Sequence, residues 1–151
     1  MNITKLNQKG KCIFAIRLAE RAAFYFNENT VSSFIQEAIE IAWKWENTEE
    51  NIGEALYNFL DNEENGFTLL QEMEKDKKSI SAWNCIIYSL AYVSKAAYEK
   101  EGVQYFPQPI EMVNDHIFDD MIQNLILCSI IEQQHIEEVY KMCLEKTIYL
   151  A

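Results

Sequence analysis

Residues 79–102 read Ser79-Ile-Ser-Ala-Trp-Asn-Cys-Ile-Ile-Tyr-Ser-Leu-Ala-Tyr-Val-Ser-Lys-Ala-Ala-Tyr-Glu-Lys-Glu-Gly102. Within them Trp83, Ile86, Ile87, Leu90, Val93, Ala97 and Tyr98 recur at steps of three and four. That spacing stacks side chains on one face of an α-helix. Ser79 is the expected N-cap. Gly102 is the expected stop, because glycine enters the left-handed conformation without a Cβ clash. Lys95 and Lys100 fall near the helix end, where cations suit the dipole. A long central helix at about 79–101 is therefore the expected axis of the fold.

The same period extends in both directions along the chain. Residues 5–26 predict a first helix in which Arg17, Glu20 and Arg21 form a narrow polar stripe. Cys12, Ile13, Phe14, Ala15, Ile16, Leu18, Ala19, Ala22, Ala23 and Phe26 cover most of the rest, an arc wide enough to be buried on more than one side. Thr30 or Ser33 is the expected cap of a second helix running to about Trp45, and Ser33 with Gln36 fits a capping box. Trp43 and Trp45 cannot both point inward from that helix. Thr48, followed by Glu49 and Glu50, reads as the cap of a third helix that Asn65-Gly66 ends. A short helix over about 69–75 would turn Leu69, Leu70 and Met73 inward. Val103 to Pro109 reads as a non-helical connector, since each proline pushes its predecessor towards extended geometry. Residues 113–131 and 132–146 predict two further helices with no Gly or Pro between them to mark a break at Ile131. The expected fold is an all-α, single-domain bundle of six or seven helices over residues 1–151.

Composition agrees. A chain of this length buries roughly 68–70% of its unfolded surface, enough for a core without staples. Only 4 Gly and 2 Pro punctuate 151 residues, too few for an all-β sandwich. The 4 cysteines lie in apolar helical runs without Cys-x-x-Cys spacing, where the thiol acts as a small hydrophobe. The polar start of the chain and the charges at Arg17, Glu20 and Arg21 exclude a signal peptide or membrane span, so the expected location is the cytoplasm.

The net charge is −11, from 24 acids and 13 bases. Direct binding to nucleic acid or to an anionic membrane needs the opposite sign. A basic protein partner fits. The charge is also segregated. No Lys or Arg lies between Lys44 and Lys75, and none between Lys100 and Lys141. Such runs are commonly just solvated faces. If they share one surface, it would steer a basic partner quickly. The candidate partner-binding residues are Glu46, Glu49, Glu50, Asp61, Glu63 and Glu64, then Asp115, Asp119 and Asp120.

Catalytic patterns are lacking. There is no Gly-rich phosphate loop and no nucleophile motif. Glu132-Gln-Gln-His135 has the spacing of a half-site in ferritin-like di-iron proteins, but Met112 and Val113 stand where His116 would need a preceding acid. His116 with Asp115, Asp119 and Asp120 is a weak chelating turn, better read as acids suited to a helix N-terminus. No catalytic residue, metal or cofactor is expected.

Several stretches together resemble a known family: Cys12 to Phe26 with its Ala-Glu-Arg, Ala42-Trp43, Ala82-Trp83 through Tyr92, Ala96-Ala97-Tyr98, Glu101-Gly102, and Pro109-Ile110-Glu111. They are similar to the all-helical immunity proteins of bacterial polymorphic toxin systems, immunity family six. The resemblance implies a protein encoded beside a secreted toxin, which binds its toxic domain in the cytoplasm and blocks it. It carries over no catalytic residues. The resemblance implies a cognate toxin domain as partner; the acidic charge, and not the resemblance, adds the expectation that its cleft is basic and, if it is a nuclease, that the acids mimic nucleic acid. A helical adaptor or regulator of another bacterial pathway is the alternative. A small metalloenzyme using Glu132 and His135 is a third.

Overall fold

A computed structural model describes residues 1–128 and 132–150, with the backbone alone for 146–150. Among the described residues the secondary structure is helical throughout: α1 (Gln8–Ala23), α2 (Ser32–Ala42), α3 (Ile52–Leu60), α4 (Phe67–Met73), α5 (Lys77–Lys100), α6 (Gln108–Glu111), α7 (Ile117–Leu127) and α8 (Gln133–Leu150). The eighth helix, beyond the six or seven expected, is the single turn α6. It carries Pro109 in its first turn, where the ring-fixed φ suits a helix start and no N–H partner is lost. The expected first helix is shorter than its apolar pattern, because residues 3–5 and 24–26 tighten into 3-10 turns. Ile131, near which the sequence leaves open whether the last two helices separate, lies outside the described residues; α7 ends at Leu127 and α8 begins at Gln133.

The long helix α5 has 24 residues and spans about 36 Å at 1.5 Å per residue. It packs on α1, α3, α4, α6 and α7, while α8 lies against α1. Its start differs from expectation. Asp76, not Ser79, is the N-cap, and its carboxylate accepts the Ser79 N–H at 3.2 Å. The Tyr25 hydroxyl donates to the same carboxylate at 2.6 Å and, with the helix N–H groups, holds Asp76 below the usual carboxylate range. Its end follows expectation. Gly102 has φ +76°, Val103 N–H reaches the Tyr98 carbonyl at 3.0 Å, and Gly102 N–H reaches that of Glu99 at 3.2 Å. These two bonds form a Schellman motif.

Two aromatic clusters hold the bundle on α5. At one end Trp83, 1% exposed, meets Phe26 and Phe67 at centroid distances of 4.6 and 5.2 Å, and Phe34 joins Phe67 to Phe59. The other gathers Tyr92, Phe118, Phe14 and Tyr140 from α5, α7, α1 and α8. Every apolar residue expected inward from the first helix is buried. Trp45 is buried at 7% exposure. Trp43, at 38%, turns outward under the Arg17 guanidinium, 4.9 Å from the ring centroid.

Three other starts and faces depart from the local pattern. α2 starts at Ser32 without a side-chain cap, so the expected Ser33–Gln36 box does not form. α4 begins after Gly66, which buries Phe67 and leaves Met73 68% exposed, so Met73 is not a core residue. α3 starts at Ile52, not after Thr48, and its own Asn51 makes no side-chain cap. The cap comes instead from Glu101, whose carboxylate accepts the Gly53 N–H at 3.2 Å. Partial burial raises the Glu101 pKa, which that N–H opposes. The Ser94 hydroxyl donates to the Gly53 carbonyl at 2.7 Å, and a Cβ at Gly53 would stand 2.6 Å from the Tyr98 ring. Glycine here lets α3 lie directly on α5.

Candidate functional site

α3 and α4 lie on one side of α5, and α6 and α7 on another. The gap between them is an open groove of about 440 Å³. α5 contributes Ile87, Tyr88 and Ala91 to it. One wall carries Tyr57, Leu60 and Asp61; the opposite wall carries Ile110, Ile117 and Asp120. Met112, 71% exposed, stands at the mouth. Lys95 fastens the second wall, because its ammonium donates to the carbonyls of Glu111 and Val113 at 3.0 and 2.6 Å. That is a different role from the one expected of it, at the end of its own helix. On the first wall the Tyr57 hydroxyl donates to Asp61 at 2.7 Å, and donating that bond pushes the tyrosine up to about 12. Asp61 is thereby held at the rim. Among the described residues the lining includes no Lys, Arg or His.

The structure sorts the candidate carboxylates by surroundings. Glu46, Glu49 and Glu50 precede α3, whereas Asp61, Glu63 and Glu64 follow it, so about 13 Å of helix separates the two groups. Glu46 pairs with Lys9 of α1 at 3.4 Å. Glu63 and Glu64 are exposed in a turn that Asn62 organises by accepting the Glu64 N–H at 2.9 Å. The acids around the start of α7 are dispersed too. Asp115 is tied inward, to Lys11 at 2.8 Å and to the Tyr92 hydroxyl at 3.0 Å. Burial, followed by this carboxylate, pushes the Tyr92 phenol far above its ordinary range. Asp119 and Asp120 are exposed, but Asp119 opens on a depression beside Ile3 and Ile122, and only Asp120 reaches the groove. The groove therefore joins part of each acidic interval, Asp61 from one and Asp120 from the other.

The floor of this groove was not foreseen from the sequence. The core spacing predicts that Ile87 faces inward, and it is half-buried; Tyr88 and Ala91 fall outside that spacing. An indication was present in the adjacent pair Ile87-Tyr88, which widens the apolar arc of α5 beyond one packing face.

Glu132 and His135 are exposed at the start of α8. Asp115, Asp119 and Asp120 diverge as described, and no three His, Cys, Asp or Glu side chains converge to hold a metal ion among the described residues. All four cysteines are buried, and burial raises the Cys12 and Cys85 thiols well above their ordinary range, away from the reactive thiolate. Among the described residues no helix is long and apolar enough to cross a membrane.

Residues 10–128 match the family described as Immunity protein Imm6. No curated protein and no solved structure matches the chain. The family match spans α1 to α7 and both walls of the groove. The chain belongs to this immunity protein family.

Proposed function

We propose that this immunity protein binds the toxic domain of a cognate toxin in the cytoplasm and neutralises it by stoichiometric contact, without catalysis. The observation that carries the reading is the family match across residues 10–128. The segregated acidic intervals support an acidic contact surface. Among the described residues the ion pairs are Lys9–Glu46, Lys11–Asp115 and Arg17–Glu20. Glu49, Glu50, Asp61, Glu63, Glu64, Asp119 and Asp120 are exposed without a basic partner there. Exposed carboxylates of one sign raise the encounter rate with a basic surface. Glu46 contributes to the same field. Asp115, with both oxygens engaged, acts by positioning the start of α7. Where the toxin is a nuclease, these carboxylates take the place of phosphates in its basic cleft.

Co-expression with the product of the adjacent gene tests the reading. Rescue of growth together with co-purification is the expected result. Co-purification without toxicity to rescue would favour the adaptor alternative. Replacing Glu46, Glu49, Glu50, Asp61, Glu63 and Glu64 by their amides should then slow association and flatten its salt dependence. Unchanged kinetics at low and high salt would remove this surface from the interface.

A further inference from the structure

The immunity reading does not say what in the toxin is gripped. The groove over α5 narrows that question. Its floor is apolar, formed by Ile87 and Ala91 with the Tyr88 ring, yet its two walls end in the carboxylates Asp61 and Asp120. A purely apolar side chain would leave those acids without a cation, since Asp61 has only the Tyr57 hydroxyl and, among the described residues, no ion pair includes either. An acidic one would be repelled. A long cationic side chain satisfies both parts, because its aliphatic stem covers apolar surface while its head stays among polar groups. A guanidinium suits the place better than an ammonium, since it forks onto a carboxylate and stacks on an aromatic face.

We propose that the groove between α3 and α7 seats an arginine of the cognate toxin, with its stem on Ile87 and Ala91 and its guanidinium at the Asp61–Asp120 rim. The proposal rests on the immunity reading and adds the anchor to it. The site is prepared in advance. Tyr57 holds Asp61 at 2.7 Å, and Lys95 fixes the backbone leading into α7. Little ordering is then left to the moment of binding. The volume of about 440 Å³ is within the usual span of roughly 300–1,000 Å³ for ligand pockets. By contrast, the depression beside Tyr92 contains its own cation, Lys95, and of its two acids, Glu99 and Asp115, the second is already paired with Lys11.

A desolvated charged anchor is expressed mainly in the dissociation rate, whereas the general acidic field is expressed in association. The test is the full chain against the toxin domain encoded by the adjacent gene, with dissociation followed after dilution. The double variant D61N/D120N, altered only at exposed positions, should speed dissociation by about tenfold or more. A91F, which fills the floor, should do the same. Amide hydrogen exchange of the wild-type complex should show new protection over 87–91 and 110–120, and that readout stands even if A91F fails to fold. If the unaltered chain does not bind the toxin domain, the immunity reading and the anchor fall together. If it binds, but D61N/D120N dissociates at the wild-type rate or the groove gains no protection, the anchor alone is overturned.

Discussion

α5 shows two different faces to the rest of the molecule. Trp83, Ile86, Leu90, Val93 and Ala97 are sealed by α1, α3, α4 and α7. Ile87, Tyr88 and Ala91, within the same turns, form the floor of a groove that no described helix fills. The two faces differ little in apolar character. What separates them is whether a neighbouring helix crosses there. Hydrophobic spacing alone therefore does not distinguish a residue that holds the fold from one available to a partner. The contrast predicts that changes on the sealed face cost stability, while changes at the exposed groove rim leave stability nearly intact.

The largest effect belongs to the sealed face. W83A should cost about 3–5 kcal/mol of unfolding free energy, measured by denaturant titration. A loss below about 1 kcal/mol would show that Trp83 is not an anchor and would erase the contrast. W83F should be milder than W83A, because the buried indole N–H has no acceptor among the described residues and nothing is orphaned by its removal. The junction of α3 with α5 comes next. G53A should destabilise by about 1–3 kcal/mol, since the added Cβ would press into the Tyr98 ring. A variant as stable as wild type would mean that the two helices can part at no cost.

The smallest effect belongs to the groove rim and is read by pH. The folded-state pKa of Tyr57 is raised to about 12 by its bond to Asp61. The phenol must be protonated to donate, so the contribution is complete below the unfolded value of about 10 and is lost as the pH rises through the folded value. D61N should return Tyr57 towards its ordinary value in a carbon-13 NMR titration and change the melting temperature little near neutral pH. A Tyr57 titration unaffected by D61N would show that the rim carboxylate is not held.

Much of the fold was legible because helix period and core burial are local properties. The buried arc of the first helix and the Gly102 stop follow from spacing and from glycine's freedom at positive φ. The caps were less legible. Thr48 and Ser33 have the chemistry of N-caps, but α3 is capped by Glu101, 48 residues from the glycine it serves. No local pattern encodes such a bond. It exists because α3 crosses α5 beside that helix's last turn.

The same limit applies to the candidate site. The sequence by itself determined an all-helical immunity fold, its core faces and the segregation of acids into two base-free intervals, since each is a property of residue order. Tertiary structure alone decided that Asp61 and Asp120 face one groove, that Asp115 and Glu46 are taken up by lysines of α1, and that Trp43 rather than Trp45 turns outward. The physical reason is the 100° turn per helical residue. It sends neighbouring acids to different faces, and which faces then meet is set by how the helices pack.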